Sequence, residues 1–145
     1  MGTTTVTRTI RASQAAVFEA VAHIENFSKI VPAITNVEFL SEQKTGIGAR
    51  FKETRLMGKR EGTSILEVTE YVPPERIRIV SDQGGIIWDT VFAVEPAGDG
   101  QVELSMVMDA RAYKFFAKLI NPLIKGMIRK FIESDMDAVK AHCET

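Results

Sequence analysis

Two ionisable residues of opposite charge, Glu53 and Arg55, stand two positions apart in a short run that alternates in character. Residues two apart in a β-strand point to the same face, so this carboxylate and this guanidinium would lie close enough to pair. A carboxylate can act as a base, and a guanidinium can hold an oxygen anion or a carbonyl oxygen. The alternation does not by itself say which face of the strand is buried.

Other side chains able to bind or react are few and scattered. Trp88 and Tyr71 could stack on a flat ligand, although core packing explains such rings as well. Three methionines could form an adaptable apolar wall, and ordinary packing explains them equally: Met106, Met108 and Met127. We expect His23 to end a short helix and Asp135 to lie at the polar edge of a helix.

The sequence predicts no metal site, no cofactor and no nucleophilic cysteine. With Cys143 as the single cysteine, neither an intramolecular disulfide nor a cysteine-based zinc site can form. His142 is adjacent to Cys143 on an exposed terminal turn, without an orienting acid. Gly46-Ile47-Gly48 links two strands and has no following helix to bind phosphate. The following aspartates are too dispersed for a metal-binding loop: Asp82, Asp89, Asp99 and Asp109.

The composition is that of an ordinary globular domain. The 145 residues are 45% hydrophobic and 26% charged, with a net charge of −1, so we expect one domain over 1–145. Such a balance favours neither nucleic acid nor an anionic membrane surface as a partner. The N-terminus lacks the pattern of a signal peptide, and no stretch reaches the roughly 20 apolar residues of a membrane span. We therefore expect a cytoplasmic protein without integral membrane association.

Turn signals divide the chain into one strand, two short helices and six further strands. Ser13 is placed to cap the first helix, and Pro32 should end the second, which we expect to begin at Asn26-Phe27. Tight links between consecutive strands predict antiparallel hairpins. The predicted strands cover 3–11, 35–41, 50–57, 63–72, 75–81, 86–95 and 101–110.

A long amphipathic helix is predicted over 113–143. Asn121-Pro122 interrupts it, so we expect either a kink or a new start with Asn121 as N-cap and Pro122 as first residue. The 22 residues from Pro122 to Cys143 would span about 33 Å and need a broad apolar partner, which the strands must supply. The apolar stripe is predicted to hold Phe116, Ile120, Ile124, Met127, Phe131 and Ala138.

This order of elements resembles the α+β helix-grip fold of the START-like, Bet v 1-like superfamily (SRPBCC), and within it the polyketide cyclase/dehydrase group. The resemblance covers essentially the whole chain and implies a seven-stranded curved antiparallel sheet around a long C-terminal helix. It is specific for the fold and weak for activity. The segments that carry it are SQAAVF at 13–18, GIGARF at 46–51, VTEYVPPER at 68–76 and NPLI at 121–124.

A curved sheet gripping one helix leaves a cavity lined by the inward face of each strand. We take Trp88 and its alternate neighbours as inward, because burying Asp89 unpaired would cost several kcal/mol. The resemblance places Phe51, Glu53 and Arg55 inside. The predicted ligand-binding residues are Phe51, Glu53, Arg55, Leu66, Val68, Trp88, Thr90, Phe92, Leu104, Met106, Met108, Phe116, Ile120, Ile124, Met127 and Phe131.

The pair Glu53 and Arg55 allows two interpretations. Inside the cavity, Arg55 would anchor a carboxylate, phenolate or carbonyl of a ligand, while Glu53 would orient the ligand or act as a base. Alternatively, the two residues form a solvated pair at the open edge of the sheet.

Three functions fit the sequence. The first is binding of a small hydrophobic, lipid-like or aromatic molecule by a carrier, sensor or chaperone, as a monomer or homodimer. The second is a cyclase/dehydrase-like enzyme acting by acid/base aldol chemistry, with Glu53 and Arg55 as weak catalytic candidates; it lacks a histidine in the predicted cavity. The third is a protein-interaction module that uses the outer face of the sheet. We favour the first and leave catalysis open.

Overall fold

The computed structural model describes residues 2–114 and 122–145, with only the backbone described at 122–124. Within these residues, a curved antiparallel sheet and three helices make up the fold. In chain order the elements are β1 (Gly2–Ile10), α1 (Gln14–Ala22), α2 (Ile24–Ile30), β2 (Ile34–Phe39), β3 (Arg50–Met57), β4 (Arg60–Val72), β5 (Arg76–Gln83), β6 (Ile86–Gly98), β7 (Gln101–Ala112) and α3 (Pro122–Cys143).

The seven strands form a single sheet in the order β1-β7-β6-β5-β4-β3-β2, and every neighbouring pair is antiparallel. The predicted helix-grip architecture is therefore confirmed. The element bounds differ at several ends: β4 begins three residues earlier than predicted, β6 continues through Pro96 to Gly98, and α2 begins at Ile24 rather than at Asn26. β2 and β1 are the two edges of the sheet.

Local sequence explains how the strands turn. Between β5 and β6 the pair Gln83 and Ile86 closes a two-residue hairpin. Its central residues, Gly84 and Gly85, both have positive φ, 63° and 80°. A type I′ turn requires this conformation at both central positions, and glycine adopts it without steric cost.

Capping and packing place the helices. The hydroxyl of Ser13 accepts a hydrogen bond from the backbone N–H of Ala16 at 3.1 Å, which confirms Ser13 as the N-cap of α1. Helix α3 begins at Pro122, while Tyr113 and Lys114 follow β7 outside any helix. The expected start of the helix at residue 113 is therefore wrong. Residues 115–121, including the expected cap Asn121, lie outside the described part of the chain.

The buried face of α3 is turned by about one residue from the predicted stripe. Ile132, Met136 and Val139 are 3%, 0% and 0% exposed, whereas Met127 is 49% exposed. The prediction that Met127 faces inward is wrong, because the spacing of Ile132, Met136 and Val139 sets the contact face. Within the described residues, no helix is long and apolar enough to cross a membrane.

Candidate functional site

A cavity of about 310 Å³ lies between the concave face of the sheet and α3. Strands β3 to β7 form its floor, α3 covers it, and the ends of α1 and α2 close one side. This volume is at the lower end of the roughly 300–1,000 Å³ typical of sites for small molecules.

Most of the residues predicted to bind a ligand line this cavity. Alternation along each strand brings them to one face, as the antiparallel register requires. Those that line it are Phe51, Glu53, Arg55, Leu66, Val68, Trp88, Thr90, Phe92, Met106, Met108 and Phe131. Their contact with a ligand stays a prediction.

The remaining predicted residues do not fall on the described wall. Leu104 is fully buried in the core cluster with Val94 and Met136, beyond the end of the cavity. Met127 faces outward on α3 and is half exposed. Phe116 and Ile120 lie outside the described residues, as does the side chain of Ile124.

Several lining residues were not predicted. Strand β5 was assigned no inward face, yet Ile79 and Ser81 alternate into the cavity, and Ser64 continues the inward set of Leu66 on β4. The period-two pattern contained this signal. The last residues of β3 and β5, Met57 and Gln83, also line the cavity. Further contributions come from the helices and loops: Val21, Ala22, Ile24, Phe27, Lys44, Thr45, Ala49, Ile128, Ile132 and Asp135.

Tyr71 is one of the two aromatic residues that the sequence offers for stacking on a flat ligand. It does not line the cavity; its ring packs 5.6 Å from that of Phe18 and 6.3 Å from that of His23, measured between centroids. Trp88 does line the cavity. Of the two aromatic candidates, Tyr71 therefore packs in the core and Trp88 lies in the cavity wall.

Three charged residues form an ionic cluster in the cavity wall. Nη1 of Arg55 donates to both carboxylate oxygens of Asp135, at 3.0 and 2.8 Å. Nη2 of Arg55 donates to Oε1 of Glu53 at 3.2 Å. The side chains of Arg55, Glu53 and Asp135 are 20%, 12% and 6% exposed. The alternative of a solvated rim pair is therefore wrong, and so is the expectation that Asp135 lies at a polar edge.

Asp135 belongs to the buried stripe of α3, three residues after Ile132 and four before Val139. An acid in such a stripe requires a cation from another element, because an unpaired buried charge is strongly unfavourable. Arg55, 80 residues away in sequence, supplies it. The periodicity could have placed Asp135, but its partner is a tertiary contact that the helix sequence does not contain.

The cluster holds two carboxylates against one guanidinium, so its charge is −1 when all three groups are ionised. Burial raises the pKa of Asp135 above its ordinary value; Arg55 opposes the shift and the nearby charge of Glu53 adds to it. Burial alone would lower the pKa of Arg55, but the two carboxylates outweigh it and raise the pKa. Arg55 is therefore a permanent cation, and Asp135 is the carboxyl that can gain a proton above the usual range.

The same wall contains a buried hydroxyl without a partner. Ser81 is 4% exposed, and among the described residues nothing hydrogen-bonds its Oγ. It stands between Leu66 and Trp88 in the register of the sheet. An unsatisfied buried hydroxyl costs about 1–3 kcal/mol, so Ser81 is a point at which a ligand oxygen would be stabilised.

The outer face of the sheet has its own ion pairs. Asp89 is 8% exposed and accepts hydrogen bonds from Nε and Nη2 of Arg78. Those hydrogen bonds lower the pKa of Asp89 despite its burial. The prediction that Trp88 faces inward agrees with the structure. Asp89 lies on the opposite face, but it is buried in an ion pair rather than solvated. Across the described residues no group of three or more metal-binding side chains occurs.

Two further features lie outside this cavity. A hollow of about 420 Å³ between α2 and β2 is broad and mainly polar, so it lacks the apolar enclosure of a ligand site. Cys143 is half-buried rather than exposed as expected, and burial raises the pKa of its thiol, which opposes nucleophilic reactivity.

The order and pairing of the elements are those of a helix-grip fold. The chain belongs to the family described as polyketide cyclase/dehydrase and lipid transport, whose sequence profile matches residues 1–144. No curated protein matches the chain.

Solved structures similar to this chain share its fold. A START superfamily protein from Mycobacterium smegmatis has a TM-score of 0.81 at 17% identity, with 99% of this chain and 98% of that chain covered. The major latex-like protein 151 from Panax ginseng has a TM-score of 0.80 at 12% identity, with 99% and 98% covered. The di-domain ARO/CYC BexL from the BE-7585A biosynthetic pathway has a TM-score of 0.77 at 16% identity, with 97% of this chain and 46% of that chain covered.

Proposed function

We propose that this protein is a single ligand-binding domain that carries, senses or sequesters a small, mainly apolar molecule, lipid-like or aromatic, between the sheet and α3. The observation that carries the proposal is the cavity of about 310 Å³ with predominantly apolar walls. Burying apolar ligand surface there is favourable by about 25 cal/mol per Å².

The wall suits a flat or flexible apolar molecule. Trp88 and Phe92 present aromatic surface on β6, and Met106 and Met108 add flexible thioether side chains on β7. Methionine adapts to irregular shapes, and aromatic rings stack on flat ones. The family description, which includes lipid transport, supports the same class of ligand.

Thermal unfolding with a panel of fatty alcohols, fatty acids and flat polyphenols tests this proposal. A ligand at 100 times its dissociation constant should add about 2.7 kcal/mol to the free energy of unfolding. Mass spectrometry of molecules that co-purify with the protein from its native host would identify the ligand directly. If no apolar compound raises the melting temperature, the proposal fails. The protein-interaction module that uses the outer face of the sheet then becomes the better interpretation.

A cyclase/dehydrase-like activity is the second candidate, favoured by two carboxylates, Glu53 and Asp135, inside the cavity. In an aldol cyclisation, Glu53 would take the proton from a carbon between two carbonyls. That carbon would form a bond to another carbonyl carbon of the same chain, whose oxygen would receive a proton. Protonated Asp135 would supply that second proton, since its pKa is raised. Loss of water would complete the dehydration.

Turnover of a poly-β-ketone surrogate tests this second candidate. Glu53→Gln, which preserves the shape of the side chain, should abolish turnover, and Arg55→Ala should also abolish it. Circular dichroism would verify the fold of both variants. Unchanged turnover in both would exclude these residues from catalysis.

A further inference from the structure

The charges of the ionic cluster bear on which ligand the cavity accepts. An anion held by Arg55 would need free donors on its guanidinium. Nη1 already donates to Asp135 and Nη2 to Glu53, so an anion would find only the remaining N–H groups of the guanidinium. A ligand carboxylate at this end would also lie beside two carboxylates that together outnumber the cation. The charge balance of the cluster therefore disfavours a ligand anion at Arg55.

The cluster offers an acceptor instead. Oε1 of Glu53 accepts from Arg55, whereas Oε2 has no hydrogen-bond partner within the described residues, and the side chain lines the cavity. Ser64 lies directly opposite Glu53 in the β3–β4 register and also lines the cavity. A hydroxyl group of a ligand could donate to Oε2 and accept from the hydroxyl of Ser64.

The rest of the described wall adds neutral polar groups. Ser81 and Thr90 contribute hydroxyls, and the Oγ of Ser81 is buried without a partner. The other cation in the described lining is Lys44, whose side chain is 62% exposed and lies 3.9 Å from Glu25. Lys44 is thus largely solvated and partly neutralised, and it does not offset the charge of the cluster.

We infer that the end of the cavity formed by Glu53, Arg55 and Asp135 receives a neutral group that donates a hydrogen bond, such as the hydroxyl of an alcohol or phenol, and rejects a carboxylate. This inference rests on the proposed function, because it names the class of ligand for the same cavity. It excludes a fatty acid bound with its carboxylate at Arg55.

Three ligands of matched size test the inference: decanol, its isomer methyl nonyl ether, which has no donor, and decanoic acid. Their affinities are measured at about pH 8, where the acid is ionised, by displacement of the neutral dye Nile red. We expect decanol to bind at least about fivefold more tightly than the ether and at least about tenfold more tightly than decanoate.

Any apolar cavity disfavours an ion, so the comparison between variants is decisive. Glu53→Gln leaves one guanidinium and one carboxylate, and should strengthen decanoate binding at least about threefold while weakening decanol binding. Asp135→Asn makes the same change of charge from α3 and serves if Glu53→Gln does not fold. Glu67→Gln, on the outer face of β4, removes the same charge away from the cavity and should change neither affinity.

The possible failures can be distinguished. If none of the three ligands binds, the proposed function falls and the inference falls with it. If decanoate binds as tightly as decanol, the inference is overturned while the proposed function stands. If that decanoate binding is then lost in Lys44→Gln, the carboxylate lies at the mouth of the cavity. Equal binding of decanol and the ether, or a decanoate affinity unchanged by Glu53→Gln and Asp135→Asn, also overturns it.

Discussion

Arg55 on β3 and Asp135 on α3 join the sheet to the helix through a two-pronged ion pair inside the cavity, with nitrogen–oxygen distances of 3.0 and 2.8 Å. Glu53 completes the cluster on the same strand. The pair therefore has two consequences: it fixes α3 over the concave face, and it sets the charge at the polar end of the cavity.

Removing the guanidinium should be costly. Arg55→Ala leaves two largely buried carboxylates without their cation, and we expect the free energy of unfolding to fall by about 3 kcal/mol at neutral pH. Arg50→Ala, on the exposed face of the same strand, is the matched control and should change stability by less than about 0.5 kcal/mol. Urea unfolding of both variants measures the difference. Equal effects would show that the cluster contributes nothing to stability.

Replacing the whole cluster should cost much less than breaking it. The triple variant Glu53→Leu, Arg55→Met, Asp135→Leu removes all three charges of the cluster, so its stability should be within about 1 kcal/mol of the wild type or above it. The same urea unfolding experiment measures this. Such a result would indicate that the cluster is kept for ligand selection; a large loss would indicate a structural role.

The titration of Asp135 predicts a pH dependence of a definite sign. Its pKa is raised by burial, so between the ordinary carboxyl value of about 4 and the raised value the folded protein binds more protons than the unfolded chain. Its contribution to stability is therefore greatest below this window and is lost as the pH rises through it.

Asp135→Asn removes this titration. We expect the stability of the wild type, relative to the variant, to increase as the pH falls from about 7 to about 4. Taking the difference cancels the carboxyl groups outside the cluster, which titrate alike in both proteins. Urea unfolding at a series of pH values measures it, and a difference that is flat or that decreases toward low pH would contradict the raised pKa.

Alternation along the strands made much of the wall predictable. Because side chains in a strand repeat every two residues, fixing Trp88 as inward also fixed Thr90 and Phe92. The glycine and proline turns delimited the strands, and their tight spacing implied hairpins. The pattern could not show how far along a strand the cavity extends, so Leu104 was included although it lies in the closed core.

The face of α3 and the burial of Asp135 were harder to predict. At 100° per residue a stripe through Met127 and one through Ile128 are adjacent, and contact with the sheet decides between them. The sequence of a helix predicts that a single acid in an apolar stripe lies at the polar edge of the stripe, unless the cation that pairs with the acid is known. Arg55 comes from another element, so this information exists only in the fold.

Filling the cavity should abolish ligand binding without unfolding the protein. Leu66→Trp places a larger ring on the cavity wall, whereas Ile65→Trp places the same ring on the opposite face of β4, where Ile65 is 41% exposed. We expect Leu66→Trp to weaken binding of any apolar ligand by at least about tenfold and Ile65→Trp to leave it unchanged. Nile red titration measures both affinities. Retained binding in Leu66→Trp would place the ligand elsewhere.

Two serines allow a matched test of the unpartnered hydroxyl. Ser81 is buried in the wall without a hydrogen bond from the described residues, whereas the hydroxyl of Ser13 caps α1. We expect Ser81→Ala to raise the free energy of unfolding of the ligand-free protein by about 1 kcal/mol, because it removes a desolvated polar group.

Ser13→Ala, which deletes the same atom, should lower the free energy of unfolding by about 1 kcal/mol, because the N–H of Ala16 loses its acceptor. Urea unfolding in the absence of ligand compares the two variants directly. If Ser81→Ala also destabilises the protein, the hydroxyl of Ser81 already has a partner in solution. In that case it would not be an unsatisfied group that a ligand oxygen could stabilise.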